Sequence, residues 1–263
     1  EVVVNDGANV TFAKSTFNNC PNLELLMIGN CTVVFNSYVI EGNVNNLTID
    51  VSKANATMKE YAFADKGGVK KFLMGSGKAY HFQKEVFRKS GLEEFIVPDY
   101  TTEFSAAYAT FFQAYSLKYA YIGRGITSLD NIFDQCDYLQ KLVLMDVTEI
   151  TGQYFTCLVN KGEDVLRIYH HADQLNVRQG NFLYQSYGVI LYTNALNFTT
   201  TPASIGSSNV TKTVNGVQVT YPAYTIVRGI PHEYKEGGVG ATCTAMGSTG
   251  YTTDCPCGVV ADA

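Results

Sequence analysis

The chain has 263 residues, 46% of them apolar and 16% charged, with a net charge of −5. That length fits one large domain or an elongated array, and the apolar share provides for a real core. The dispersed acidic charge excludes a nucleic-acid binder, which needs a basic stripe, and no run of about 18 apolar residues exists to span a membrane.

The chain opens on Glu1, Val2, Val3 and Val4, which read as a strand and as the mature start left after a leader is removed. Beyond it, one spacing recurs in eight segments: an aromatic, then an apolar pair at i and i+2 about nine residues later. The aromatics are Phe17, Tyr38, Phe63, Phe87, Phe111, Phe133, Phe155 and Phe182. Their pairs are Leu26/Ile28, Leu47/Ile49, Phe72/Met74, Phe95/Val97, Ala120/Ile122, Leu142/Leu144, Leu166/Ile168 and Ile190/Tyr192. First members lie 21 to 25 residues apart, the spacing of a solenoid in which neighbouring units supply the core that no unit has alone. Val2 and Val4 precede Leu26 and Ile28 by 24 residues and fit as a further strand. Each i, i+2 pair predicts a short strand buried on one face, stacked into a parallel sheet. The three-residue spacing of the aromatic segment predicts a short helical or 3₁₀ turn on the opposite side.

In this scheme the residue between each inward pair points out. Those residues are Met27, Thr48, Leu73, Ile96, Tyr121, Val143, Arg167 and Leu191, and six of the eight are apolar or aromatic. A solvated sheet face carries polar residues there, so Met27, Leu73, Ile96, Tyr121, Val143 and Leu191 form a candidate interaction stripe. The chain's own tail, a second copy or a foreign ligand are the three candidate occupants.

After Phe198 the repeat stops and Thr, Gly, Ser and Val take over. Residues 211–221 alternate apolar and polar around Asn215-Gly216, which predicts a β-hairpin. The Gly- and Thr-rich stretch beyond it predicts a loose extension. The expected organisation is a solenoid of about eight to nine turns over 1–198 and a hairpin with extension over 199–263.

Six Asn residues sit two before a Thr with no intervening Pro: Asn9, Asn30, Asn46, Asn55, Asn197 and Asn209. Chance would produce about three, so the excess favours N-glycosylation and an extracellular or cell-surface location. Seven cysteines are compatible with secretion. Cys20 and Cys136 each follow a ladder Phe by three residues and read as core fillers. Cys136 and Cys157 lie 21 residues apart, one coil, which is within disulfide reach; Cys243, Cys255 and Cys257 are the other bridge candidates. No zinc half-site accompanies the C-P-C. His81, His170, His171 and His232 have no metal spacing, and no nucleophile elbow or phosphate-binding loop appears. No enzyme, metal or cofactor is expected.

The stretches Leu92-x2-Phe95-x-Val97-Pro98, Tyr61-Ala62-Phe63 and Phe133 through Ile150 resemble the BspA-like, Treponema-type leucine-rich repeats over residues 10–195. The resemblance implies a leucine-rich-repeat solenoid, of α/β to mostly β class, acting outside the cell by contact, and no catalytic residues. The expected function is a secreted structural subunit that joins copies of itself head to tail into a filament or matrix. The alternative is a monomeric surface adhesin or receptor ectodomain that binds an extracellular protein or glycan.

Overall fold

The computed structural model describes residues 1–7, 9–151, 166–177, 189–200, 210–214, 217–221 and 224–230. The backbone winds in coils of two or three short strands. The first holds β1 (Val2–Val4), β2 (Val10–Phe12) and β3 (Phe17–Asn18); the second holds β4 (Leu25–Ile28), β5 (Thr32–Phe35) and β6 (Ile40–Glu41). Then follow β7 (Leu47–Asp50) with β8 (Asn55–Met58), β9 (Val69–Leu73) with β10 (Ala79–Phe82), and β11 (Glu94–Val97) with β12 (Glu103–Ala106). Next come β13 (Tyr119–Ile122) with β14 (Ser128–Leu129), and β15 (Lys141–Leu144) with β16 (Glu149–Ile150). The last coils hold β17 (Arg167–His170) with β18 (Gln174–Val177), and β19 (Val189–Thr193) with β20 (Asn197–Thr200). An antiparallel hairpin of β21 (Val210–Val214) and β22 (Val217–Tyr221) and a final strand β23 (Tyr224–Arg228) complete the described chain.

Two parallel faces result rather than one. The first runs β1-β4-β7-β9 and resumes as β11-β13-β15-β17-β19-β23; the second runs β2-β5-β8-β10-β12 and resumes as β14-β16-β18-β20. Each face offers alternate residues to a shared core, as a half-buried strand must. From the first come Leu26, Ile49, Phe72, Phe95, Ala120, Leu142, Ile168 and Leu191, and from the second Phe12, Phe35, Met58 and Phe82. The hairpin pairs Val214 with Val217, the register that a two-residue connection dictates.

The third side carries the aromatic column and holds no helix among the described residues, contrary to the expectation of helical or 3₁₀ turns. Residues two before and two after five of the column positions have left-handed backbone: Ser15 and Asn19, Tyr38 and Gly42, Tyr61 and Asp65, Glu85 and Lys89, Ala109 and Gln113, with φ between 50° and 69°; at Phe133 the residue two after it, Gln135, does so at 56°. A helix cannot propagate through such residues. Their reward is a third ladder between coils: Tyr61, Phe63 and Asp65 donate their N–H groups to the carbonyls of Lys84, Val86 and Arg88. The rings of Phe63, Phe87, Phe111 and Phe133 stack coil upon coil, with centroids 5.2 to 5.5 Å apart and planes within 24°. Tyr38 stands outside this column. Ile40, paired with Phe17, takes its place, while Tyr38 stacks on Tyr61 at the surface.

Register corrects the strand pairs in three coils. Leu26 pairs with Ile49, not Leu47, and Leu142 pairs with Ile168, not Leu166. Ile168 pairs with Leu191, so Leu191 points inward and Ile190 and Tyr192 point out. A slip of two residues keeps a side chain on its face, and a slip of one reverses it.

Candidate functional site

With register fixed, the outward column of the first face reads Val3, Met27, Asp50, Leu73, Ile96, Tyr121, Val143, Tyr169, Tyr192 and Val227. Asp50, Tyr169 and Tyr192 thus stand in the outward column where the pairing read from sequence puts Thr48, Arg167 and the stripe residue Leu191. The column is more apolar than the sequence pairing indicates. A count of 23 residues leads from Leu26 to Ile49 and from Ile168 to Leu191, which places Asp50 and Tyr192, but 26 residues separate Leu142 from Ile168, so no fixed count finds Tyr169.

The column divides into a covered and an uncovered part. Val143 and Tyr169 are buried, as is Met145, and Ile230 packs on them with Tyr119, Tyr121 and Tyr192 at the margin. Gly229, at φ 85°, bends the chain after β23, and Ile230 follows it directly. Val143 therefore points outward as expected but is not exposed. Ile230, one residue of the tail segment, packs on this end of the column. Tyr169 and Tyr192 stack at 5.2 Å, and Lys141 stands over the Tyr169 ring. The Tyr121 hydroxyl donates to Asp99 Oδ1 at 2.8 Å, and the Arg124 N–H donates to the same oxygen. Burial, reinforced by the Asp99 carboxylate, pushes the Tyr121 phenol up and keeps it protonated.

Toward the N-terminal end the column lies open. Leu73 is 42% and Ile96 44% exposed, and Met27 is half-buried. Leu73 and Ile96 line an open groove of about 760 Å³ with Asn46, Lys70, Lys71, Phe72, Met74, Glu93 and Glu94. Lysines enter from β9, Glu94 from the start of β11 and Glu93 from just before it. Glu93 faces Lys118 at 3.6 Å. The groove sits where the first face divides between β9 and β11. One signal for it exists in the sequence: Lys70-Lys71 and Glu93-Glu94 occupy the entry positions of successive strands.

The described sequon residues Asn9, Asn30, Asn46 and Asn55 are all exposed. Asn9, Asn30 and Asn55 accept hydrogen bonds through Oδ1, the amide atom that does not carry a sugar. Asn197 lies in β20, and Asn209 lies outside the described residues. Cys136 is buried and its thiol donates to the Phe111 carbonyl at 3.1 Å. Cys157, Cys243, Cys255 and Cys257, like Phe155 and Phe182, lie outside the described residues.

The nearest arrangement to catalytic machinery is on the second face. His81 Nδ1 meets Ser105 Oγ at 2.8 Å, and its Nε2 lies 3.6 Å from a Glu103 oxygen. Ser105 stands on the outward side of a paired strand, where backbone N–H groups lie in the plane of the sheet. They are spread along the strand and do not converge on one point, as an oxyanion site requires. His170 is wholly buried: Nε2 donates to the Val147 carbonyl at 2.7 Å and Nδ1 accepts from Thr193 Oγ1 at 2.8 Å. Burial lowers its pKa, so it is a neutral core residue. Among the described residues no three of His, Cys, Asp or Glu are grouped to hold a metal ion, and no helix is long and apolar enough to cross a membrane.

The BspA type leucine-rich repeat region matches in six copies over residues 4–113 and 78–161, more than half of the chain. The chain belongs to that family. No curated protein and no solved structure matches it. Membership explains the coil length, the aromatic column and the parallel stacking together. It points to protein–protein contact or adhesion as the kind of work the fold does, on a scaffold that is typically not enzymatic.

Proposed function

We propose that this BspA-type repeat protein is an extracellular, N-glycosylated contact protein whose docking surface is the uncovered part of the first face. The observation that carries the reading is the pair Leu73 and Ile96, adjacent in the outward column and more than two-fifths exposed over a groove of about 760 Å³. Apolar residues in that position on a solvated sheet mark an interaction surface. Burial of the same column beneath Ile230 further along is the pattern such a face adopts when it has a partner. Proteins with this repeat are typically secreted or surface-borne, in keeping with the exposed sequons.

A photo-reactive residue placed at Ile96 on the native protein is expected to cross-link to a defined protein partner, and the same residue at Val34 on the second face is not. Leu73→Asp with Ile96→Asp should abolish that cross-linking while leaving the circular dichroism unchanged. Equal cross-linking from both faces would overturn the reading.

Head-to-tail assembly is a second reading, favoured by the strand order. Among the described residues β1 and β23 each pair on one side only, so β23 of one copy and β1 of the next would continue a parallel sheet. A contact of this kind does not close and produces a filament. Electron microscopy and light scattering of concentrated native protein test it, and monodisperse monomers would count against it.

A further inference from the structure

The described sequons do not share one place on the solenoid. Asn9 leads into β2 and Asn55 begins β8, both on the second face: the Asn9 side-chain oxygen takes the Thr32 N–H, and Thr32 pairs with Asn55. Asn30 lies in the corner two residues before Thr32. Asn46 stands apart. It leads into β7 on the first face and lines the groove that holds Leu73 and Ile96. Leu47 is wholly buried, and successive side chains of a strand alternate, so Asn46 and the sequon residue Thr48 both turn outward. Among the described residues the exposed Asn46 side chain makes no hydrogen bond. Those of Asn9, Asn30 and Asn55 accept one each, and the neighbouring Asn45 donates to the Pro21 carbonyl at 3.1 Å.

The groove begins beside this residue. Thr48 pairs with Lys71 and Asp50 with Leu73, so Leu73 lies one strand spacing, about 4.8 Å, from the strand that Asn46 leads into. A pyranose ring presents a face of C–H groups and a rim of hydroxyls. Leu73 and Ile96, 42% and 44% exposed, offer apolar surface to the face. Lys70, Lys71, Glu93 and Glu94 offer ammonium donors and carboxylate acceptors to the rim. A saccharide fits here without parting the coils, because it lies across the outside of β9 and β11 and not between them.

We propose that the saccharide carried by Asn46 folds back into this groove and competes with the protein partner for Leu73 and Ile96. This regulation rests on the contact reading. Attachment joins Asn46 Nδ2 to the anomeric carbon of a saccharide carried on a lipid diphosphate. The bond from that carbon to the diphosphate breaks, the diphosphate leaves with the electron pair, and one amide hydrogen leaves as a proton. Once attached, the saccharide needs little intrinsic affinity, since the tether supplies its effective concentration. A saccharide seated for about two-thirds of the time leaves one-third of the docking faces free, which weakens partner affinity about threefold. The partner displaces it, so docking is tuned and not abolished.

On the native protein, glycopeptide mass mapping should find Asn46 occupied. Hydroxyl-radical footprinting then compares that protein with Asn46→Gln and Thr48→Ala, which remove the sequon at different residues, and with Thr48→Ser, which keeps it. Oxidation of Leu73 and Ile96 should rise about threefold in the first two and stay unchanged in the third. Leu196, 83% exposed on a later coil, should not change, and Asn55→Gln should leave Leu73 and Ile96 as they are. The partner band from a photo-reactive group at Ile96, at limiting partner, should strengthen about threefold in Asn46→Gln. An unoccupied Asn46, or equal oxidation with and without the saccharide, would overturn the seat. If oxidation rises but no variant gives a partner band, the contact reading has failed and the competition with it. A band of the same strength in every variant overturns the competition alone.

Discussion

Replacing Phe111 by Ala removes a ring from the middle of the column and tests directly whether like residues are stacked. Phe111 is wholly buried and touches three rings, Phe87 at 5.2 Å, Phe133 at 5.5 Å and Phe95 at 4.5 Å. Large-to-small substitution at such a site costs about 3–5 kcal/mol, because transfer free energy is lost and the cavity relaxes only in part. The ring contacts add about 0.5–1.5 kcal/mol per pair beyond area burial, which places Phe111 at the upper end. Phe17, at the start of the column, has Phe12 as its ring neighbour at 5.2 Å, and Phe17→Ala should cost less. Since the chain has no Trp and 18 Tyr, urea unfolding is followed by tyrosine fluorescence and far-ultraviolet circular dichroism. A Phe87→Leu and Phe111→Leu cycle should show a coupling of about 0.5–1.5 kcal/mol. A loss below about 1 kcal/mol for Phe111→Ala, or no coupling in the cycle, would refute the stacked column.

Three further outcomes follow from individual residues. Burial lowers the His170 pKa below its ordinary 6.5, so the unfolded chain takes up a proton that the folded one refuses. Stability is therefore full above that value and falls as pH drops below it, by at most about 1.4 kcal/mol per pH unit; thermal melts from pH 8 to 5 should show the fall, and His170→Asn should remove that share. Tyr100 holds φ 59° at 69% exposure, so Tyr100→Gly should stabilise by about 0.5–1 kcal/mol in urea titration, and a loss would contradict the left-handed assignment. A Cβ at Gly75 would lie 2.1 Å from the Ser52 carbonyl oxygen of the previous coil; Gly75→Ala should cost about 1–3 kcal/mol, and a neutral result would mean the coils are not in contact there.

The stacking was legible because it rests on apolar residues at a fixed interval, and burial of Phe63, Phe87, Phe111 and Phe133 follows from that interval alone. The hairpin was legible from Asn215-Gly216 for a local reason, since turn chemistry sets the register. What the sequence hid depends on choices between equivalent residues. Leu47, Ile49 and Val51 all point inward, and only the pairing of Leu26 with Ile49 decides which two are the repeat's own. In β19 the run Val189-Ile190-Leu191-Tyr192 is apolar throughout, so alternation gives no phase and does not tell which side Leu191 takes. The turns misled because three-residue spacing is shared by a 3₁₀ turn and by a bend flanked by left-handed residues. Ala109, Glu85 and Gln135 carry no mark of positive φ in their side chains. The groove was invisible as a cavity because it arises from a strand pair that fails to form, although its Lys-Lys and Glu-Glu walls can be read directly.

The covered and uncovered halves of one column lead to the central claim, that the face around Leu73 and Ile96 is where this protein touches its partner. Site-specific photo-cross-linking on the native protein, with the reactive group at Ile96 and, as comparison, at Ser105 on the second face, measures this directly. A partner band from position 96 that disappears with Leu73→Asp, and none from position 105, is the expected result. Cross-linking from position 105 alone, or bands that survive Leu73→Asp unchanged, would contradict it.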